Sequence, residues 1–150
     1  GIQINKTVQE DKQFYVWDFG GQKKFRERHI RDFDQKSQNA EKIIYVIDVQ
    51  EPEKYQDSLD YLSKILSKTR TDEMEVLVYM HKYDPSLERN FKDPIHSHLR
   101  DLIPKVQNLL EKHGEGKIFK TSIYTTFRKL EIWTHVKSRV ISGVCVFFAQ

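Results

Sequence analysis

The chain has a single cysteine, Cys145, among its 150 residues, so no disulfide can close within it. That usage fits a reducing compartment, and a cytoplasmic location is the expectation. Proline and glycine are sparse, at 4 and 6 residues, which excludes a collagen-like or Pro/Gly-rich low-complexity chain. No apolar run approaches the ~20 residues that a membrane-spanning helix needs. The longest candidate, Val140 to Phe148, reads as a helix end continuing into a buried segment. No positively charged, apolar, small-residue series of the secretory kind opens the sequence. An excess of charge of one sign is lacking as well: the net charge is only +3 and the pI about 8.9, a balance that does not establish nucleic-acid binding.

What is present is organised in blocks. Apolar residues make up 38% and aromatic residues 12%, enough for one packed core, so a single domain is the default. Ile2, Ile4 and Val8, followed by the polar turn Gln9 to Lys12 and the run Phe14 to Trp17, read as a hairpin entering a sheet. Ile43 to Ile47 and Val76 to Met80 are continuous apolar runs ending in polar Asp48 and His81, the pattern of strands covered on both faces. Between them Tyr55, Leu59, Leu62, Ile65 and Leu66 recur at helical spacing and predict a crossover helix. Asp93-Pro94 supplies an N-cap and first-turn proline for a stripe running from Ile95 to Leu110, in which Pro104 should kink or divide the helix. Ile118 and Phe119 predict a short last strand, and Phe127, Leu130, Trp133, Val136 and Val140 the stripe of a last helix. Strand and helix alternate, so a largely parallel sheet sandwiched by helices is expected.

In such sheets ligands collect at the carboxyl ends of strands, where polar clusters fall in this chain. Asp18-Phe19-Gly20-Gly21-Gln22 follows the first run. An aspartate there can hold a magnesium-bound water, a glycine lets its amide approach a phosphate oxygen, and a glutamine can orient an attacking water. A tight turn leaving a sheet is the plain alternative. His81-Lys82-Tyr83-Asp84 follows Met80, and Thr121-Ser122-Ile123-Tyr124 follows Phe119. The Asp84 carboxylate can accept bonds from the N1 and N2 edge of guanine, the stem of Lys82 can cover a flat ring, and the Ile123 amide can meet an exocyclic oxygen while Ser122 braces the loop.

In order and content these clusters resemble the Ras-like small GTPases, and more closely the Rag/Gtr branch with an Arf-like second switch. Val16-Trp17-Asp18-Phe19-Gly20-Gly21-Gln22 is similar to that switch, and His81-Lys82-Tyr83-Asp84, with histidine where most GTPases have asparagine, and Thr121-Ser122-Ile123 are similar to the Rag guanine loops. The similarity covers nearly all of the chain. It implies an α/β P-loop NTPase fold, a three-layer sandwich with a mostly parallel sheet, binding GTP or GDP with Mg2+. By the same resemblance Asp18 lies near the metal through water, Gly21 contacts the γ-phosphate, Gln22 positions the hydrolytic water, and Lys82, Asp84, Ser122 and Ile123 read guanine. His81 is expected to brace neighbouring loops through one ring nitrogen. Residues 23–31, basic with interleaved apolar side chains, would form the switch helix that binds effector and regulatory proteins in preference to nucleic acid. A heterodimer with a related chain and a peripheral place at lysosomal or vacuolar membranes are further implications.

The sequence departs from the family in one respect. Gly-x-x-x-x-Gly-Lys-Ser/Thr, whose amides cradle phosphates, does not occur in it; Gly114-Glu115-Gly116-Lys117 is too short and precedes a strand. Residues 1–150 are therefore expected to be a partial G domain, without the phosphate loop, the first switch and the central first strand. The strands ending at Trp17 and Asp48 would then face a gap, and the chain should be unstable unless another segment fills it. Two functions stay open: a GTP-hydrolysing switch in the intact protein, or a non-catalytic pseudo-GTPase scaffold. Elsewhere, His96 and His98 lie roughly 200° apart on a helix and do not converge on a metal, and Cys145 reads as a small buried hydrophobe.

Overall fold

A computed structural model describes residues 2–9, 12–19, 22–37, 40–69, 74–114, 116–123 and 144–149. Strands β1 (Ile2–Gln9) and β2 (Lys12–Phe19) form the expected antiparallel hairpin, with Ile2 opposite Phe19 and Gln9 opposite Lys12. Then follow α1 (Lys23–Lys36), β3 (Lys42–Asp48), α2 (Tyr55–Leu66), β4 (Glu75–His81), α3 (Pro85–Arg89), α4 (Ile95–His113), β5 (Gly116–Lys120) and β6 (Val144–Ala149). The strands make one sheet in the order β1-β2-β6-β3-β4-β5. Every pairing after the hairpin is parallel.

The tail, read as a helix end continuing into a buried segment, is a strand from Val144 onward, and this β6 lies where the gap was expected. It pairs with β2 from Val16↔Val144 to Phe19↔Phe147 and with β3 from Lys42↔Val144 to Ile47↔Ala149. Val144, Val146, Phe147 and Phe148 are of the β-branched and aromatic kinds that fit a pleated surface. A continuous apolar run of this length suits a strand with neighbours on both sides. The condition attached to the gap, that another segment fill it, is thereby met within this chain.

The main core lies between one face of β3 and β4 and the helices. Ile43, Tyr45, Ile47, Val76, Val78 and Met80 contribute from the strands, Phe33 from α1, Leu59, Leu62, Ile65 and Leu66 from α2, and Leu99, Leu102, Val106 and Leu110 from α4. The tyrosines solve their polar problem locally, Tyr45 donating to the Ser58 carbonyl at 2.7 Å and Tyr55 to the Val49 carbonyl at 2.6 Å. On the opposite sheet face Val46 and Leu77 are also buried. The last helix, expected over Phe127 to Val140, falls outside the described residues.

Pro104 does not divide α4, which runs unbroken from Ile95 to His113. Pro104 and Arg100, whose carbonyl loses its helical donor, both lie on the exposed side, where water can take up the bond. At the start of α4 the Asp93 carboxylate accepts the Ile95 amide at 3.0 Å, the cap anticipated for it. The short α3 was not anticipated, although Asp84-Pro85 carries the same cap-and-proline signal.

At the amino ends of the strands Glu75 accepts bonds from Lys42 and, at 2.9 Å, from Lys117. The hydrogen bond from Lys42, then that from Lys117, holds its carboxyl down from 4.5 to about 2. A depressed carboxyl stabilises the fold above its ordinary value and loses that contribution as pH falls toward the folded value. Glu75→Gln is therefore expected to lower Tm at neutral pH, with the difference from wild type closing between about pH 4.5 and 2 in a series of thermal melts.

Candidate guanine-nucleotide site

Parallel pairing brings the carboxyl ends of β2, β6, β3, β4 and β5 to one edge of the sheet, Asp48 standing beside His81 and Met80 beside Lys120. The loops leaving β3, β4 and β5 are woven together there. The Val49 amide donates to the His81 carbonyl at 3.0 Å, the Tyr83 amide to the Thr121 carbonyl at 3.0 Å, and the Thr121 amide to the Met80 carbonyl at 2.9 Å.

On this weave sit the residues expected to read a base. Asp84 accepts a bond from the Ser122 hydroxyl, and Ser122 itself is fully buried. His81 Nδ1 lies 3.1 Å from the Thr121 hydroxyl, so the histidine ties the β4 loop to the β5 loop. Ile123 follows as an exposed residue, 57% accessible, beside the buried Thr121 and Ser122. Lys82 has a positive φ of 62°, the left-handed region that a non-glycine residue enters rarely. Its ammonium pairs with the Asp48 carboxylate, and this bond together with the charge on Asp48 raises the lysine's pKa. The side chain is half exposed, so the pair is easily exchanged for another acceptor.

The Gln50 side chain was not anticipated. Its Nε2 donates to the Lys82 carbonyl at 3.1 Å and approaches Asp84 Oδ2 at 3.4 Å, while its backbone amide donates to Asp48 Oδ1 at 3.0 Å. The available signal was the same that marked the other clusters, polar residues directly following an apolar strand, here Asp48-Val49-Gln50 after Ile47.

The expected phosphate side stands on β2. Asp18 lies near the strand's carboxyl end, its backbone in register with Gln3 on one side and Val146 on the other. Gly21 lies outside the described residues. Gln22 precedes the first residue of α1 and accepts the Phe25 amide on its carbonyl at 2.9 Å; its side chain makes no capping bond and is exposed. Three strand spacings separate β2 from β4, about 14 Å at ~4.8 Å each, a span suited to an extended nucleotide laid across the sheet.

The helix α1 is fixed by its polar inward face. Arg26 is 9% accessible and places its guanidinium 5.0 Å from the centre of the Tyr61 ring, and buried His29 lies 3.4 Å from the Tyr61 hydroxyl. Burial pushes that hydroxyl up to about 12. Its outward cations are largely matched by acids, Lys23 with Asp57 at 3.0 Å and Arg28 with Asp32 at 3.8 Å. His96 turns away from His98, donating from Nε2 to the Leu87 carbonyl at 3.0 Å. Among the described residues no group of His, Cys, Asp or Glu is placed to hold a metal ion, and no helix is long and apolar enough to cross a membrane.

A parallel α/β sheet whose loops converge at the carboxyl ends, with a lysine and a carboxylate in the loop after β4 backed by a serine after β5, defines a P-loop GTPase-like G domain. The family model of the Gtr1/RagA G protein conserved region matches residues 2–146, nearly the whole chain, and the chain belongs to this Rag/Gtr branch of the small GTPases. It is accordingly a guanine-nucleotide-binding domain.

Proposed function

We propose that the domain serves a GTP-driven switch in which Lys82, Asp84, Ser122 and Ile123 read guanine, Asp18 to Gln22 sense the γ-phosphate, and α1 carries the response to partner proteins. The observation that most supports this reading is the Asp84 carboxylate, oriented by Ser122 and Gln50 at the carboxyl end of β4. An anchored carboxylate can accept both donors on the N1 and N2 edge of guanine, an edge that adenine lacks.

On the phosphate side the Asp18 carboxylate would hold Mg2+ through a coordinated water, since Mg2+ in such sites keeps several of its waters beside the phosphate oxygens. Magnesium, when bound, neutralises charge on the phosphates. Gln22, exposed and free of capping duty, is suited to hold a water by its amide while the first turn of α1 fixes its backbone. Gly21 is assigned to the γ-phosphate and His81 to bracing the guanine loops. The acids beside Lys23, Arg28 and Arg31 offset much of the outward positive charge of α1, which favours a protein partner over nucleic acid. Pairing with a related chain and a cytoplasmic site at lysosomal or vacuolar membranes rest on family membership alone.

In the intact protein, titration with GDP and ADP tests the reading, with GDP retained and ADP not. Equal or absent binding of the two would favour a non-catalytic scaffold. In the intact protein Gln22→Leu should slow single-turnover GTP hydrolysis about tenfold or more while sparing GTP affinity, since water positioning acts on the chemical step. An unchanged rate would remove Gln22 from that role.

A further inference from the structure

We propose that Gln50 is a positioning residue for base recognition, a side chain from the β3 loop that sets both Lys82 and Asp84 in their reading geometry. The proposal rests on the guanine reading above and adds a residue outside the segments that reading assigns.

The argument starts from the backbone of Lys82. A φ of 62° is unfavourable for a residue with a Cβ and persists when surrounding bonds over-determine it. The Lys82 carbonyl is held by Gln50 Nε2 at 3.1 Å, and the next amide, that of Tyr83, is held by the Thr121 carbonyl at 3.0 Å. Gln50 thus secures one side of the left-handed turn and the β5 loop secures the other. The same Nε2 approaches Asp84 Oδ2 at 3.4 Å, so one primary amide, with two hydrogens to give, spans both residues.

With Ser122 on Oδ1 and Gln50 at Oδ2, rotation of the carboxylate is restrained from both sides. Gln50 is itself oriented, because its backbone amide is tied to Asp48 Oδ1 at 3.0 Å. The other oxygen of Asp48 pairs with the Lys82 ammonium. Asp48 and Gln50 therefore grip the loop by its side chain and by its backbone. Because Gln50 is exposed and buries no apolar surface in the core, its contribution is directed at the loop and little at global stability.

The test compares wild type, Gln50→Leu and Gln50→Glu. In the nucleotide-free chain the backbone shifts and amide couplings of Lys82 and Tyr83, read by NMR, report φ. Both variants should move them while leaving Tm within about a degree or two, as expected for a surface change. In the intact protein, GDP and inosine diphosphate, which lacks the 2-amino group, then report carboxylate orientation. Gln50→Leu should weaken GDP about tenfold and inosine diphosphate less, and Gln50→Glu should weaken GDP further by placing like charge at Asp84. Unchanged Lys82 signals, or an unchanged GDP to inosine diphosphate ratio in a wild type that binds GDP, would overturn the proposal. If wild type binds no GDP, the guanine reading fails separately and the role of Gln50 in base recognition falls with it, whatever the NMR reports about the loop.

Discussion

Val146→Pro is expected to abolish the cooperative unfolding transition of this chain, or to lower its Tm by at least 6–12 °C, roughly, taking the ~3 kcal/mol of a helix-interior proline as a floor for a central strand and ~2–4 °C per kcal/mol at this size. Val146 sits in the middle of β6, opposite Asp18 of β2 and Ile44 of β3. Proline removes a ladder donor, and its ring cannot be accommodated in a central strand. The consequence reaches beyond one hydrogen bond, because among the described strands β6 alone joins the β1-β2 hairpin to β3-β4-β5. Losing it leaves two sheet fragments with facing unpaired edges, which are costly to bury and prone to pair with other chains. Set against a typical stability of about 5–15 kcal/mol, that loss can consume most of the fold's margin. Val146→Thr separates backbone from side chain: it keeps the N–H and the β-branch, so its Tm should fall far less. Equal melting of Val146→Pro and wild type, with equal amide protection along β2 and β3, would remove β6 from the sheet.

The same strand marks where the sequence stopped being legible. Elements with a period or a punctuated run were readable: the Tyr55 to Leu66 stripe became α2, and Ile43–Ile47 and Val76–Met80 became the cores of β3 and β4. The tail from Val140 to Phe148 has no period that distinguishes a strand from a buried helix, and its partners lie more than 90 residues earlier in the chain, on β2 and β3. At Pro104 the helix is not divided, since the lost bond faces solvent and the apolar stripe on either side still packs. The convergence of the cluster proposed to read a base was legible because each piece is a short local motif at a strand end. Gln50 was not, because its meaning depends on Lys82 and Asp84, which are 32 and 34 residues downstream and reach it only once β3 and β4 lie side by side. Glu75, gripped by Lys42 and Lys117 from neighbouring strands, escaped notice for the same reason.

Asp84→Asn should weaken GDP by about 100-fold and shift preference toward xanthosine diphosphate. Two charge-assisted bonds to a guanine edge are at stake, each worth ~1.5–3 kcal/mol, so a loss of roughly 3 kcal/mol corresponds to about 100-fold. The direction follows from donors and acceptors. Guanine presents N1–H and a 2-amino group, both of which a carboxylate accepts; asparagine accepts one and opposes the other with its own NH2. Xanthine carries an oxygen where guanine carries the amine, so that NH2 gains an acceptor. The surroundings sharpen the expectation. Ser122 and Gln50 both donate toward Asp84, and an amide there leaves one of them facing a donor. Adding Gln50→Glu to Asp84→Asn replaces that conflict with an acceptor but also removes the donor to the Lys82 carbonyl, a loss common to both nucleotides, so the double variant should prefer xanthosine diphosphate over GDP more strongly than the single one. Competition titrations of GDP and xanthosine diphosphate on the three proteins read this directly. Undiminished GDP affinity in Asp84→Asn would mean that guanine is read elsewhere, and a double variant whose preference is no stronger than that of the single would mean that Gln50 does not act on residue 84.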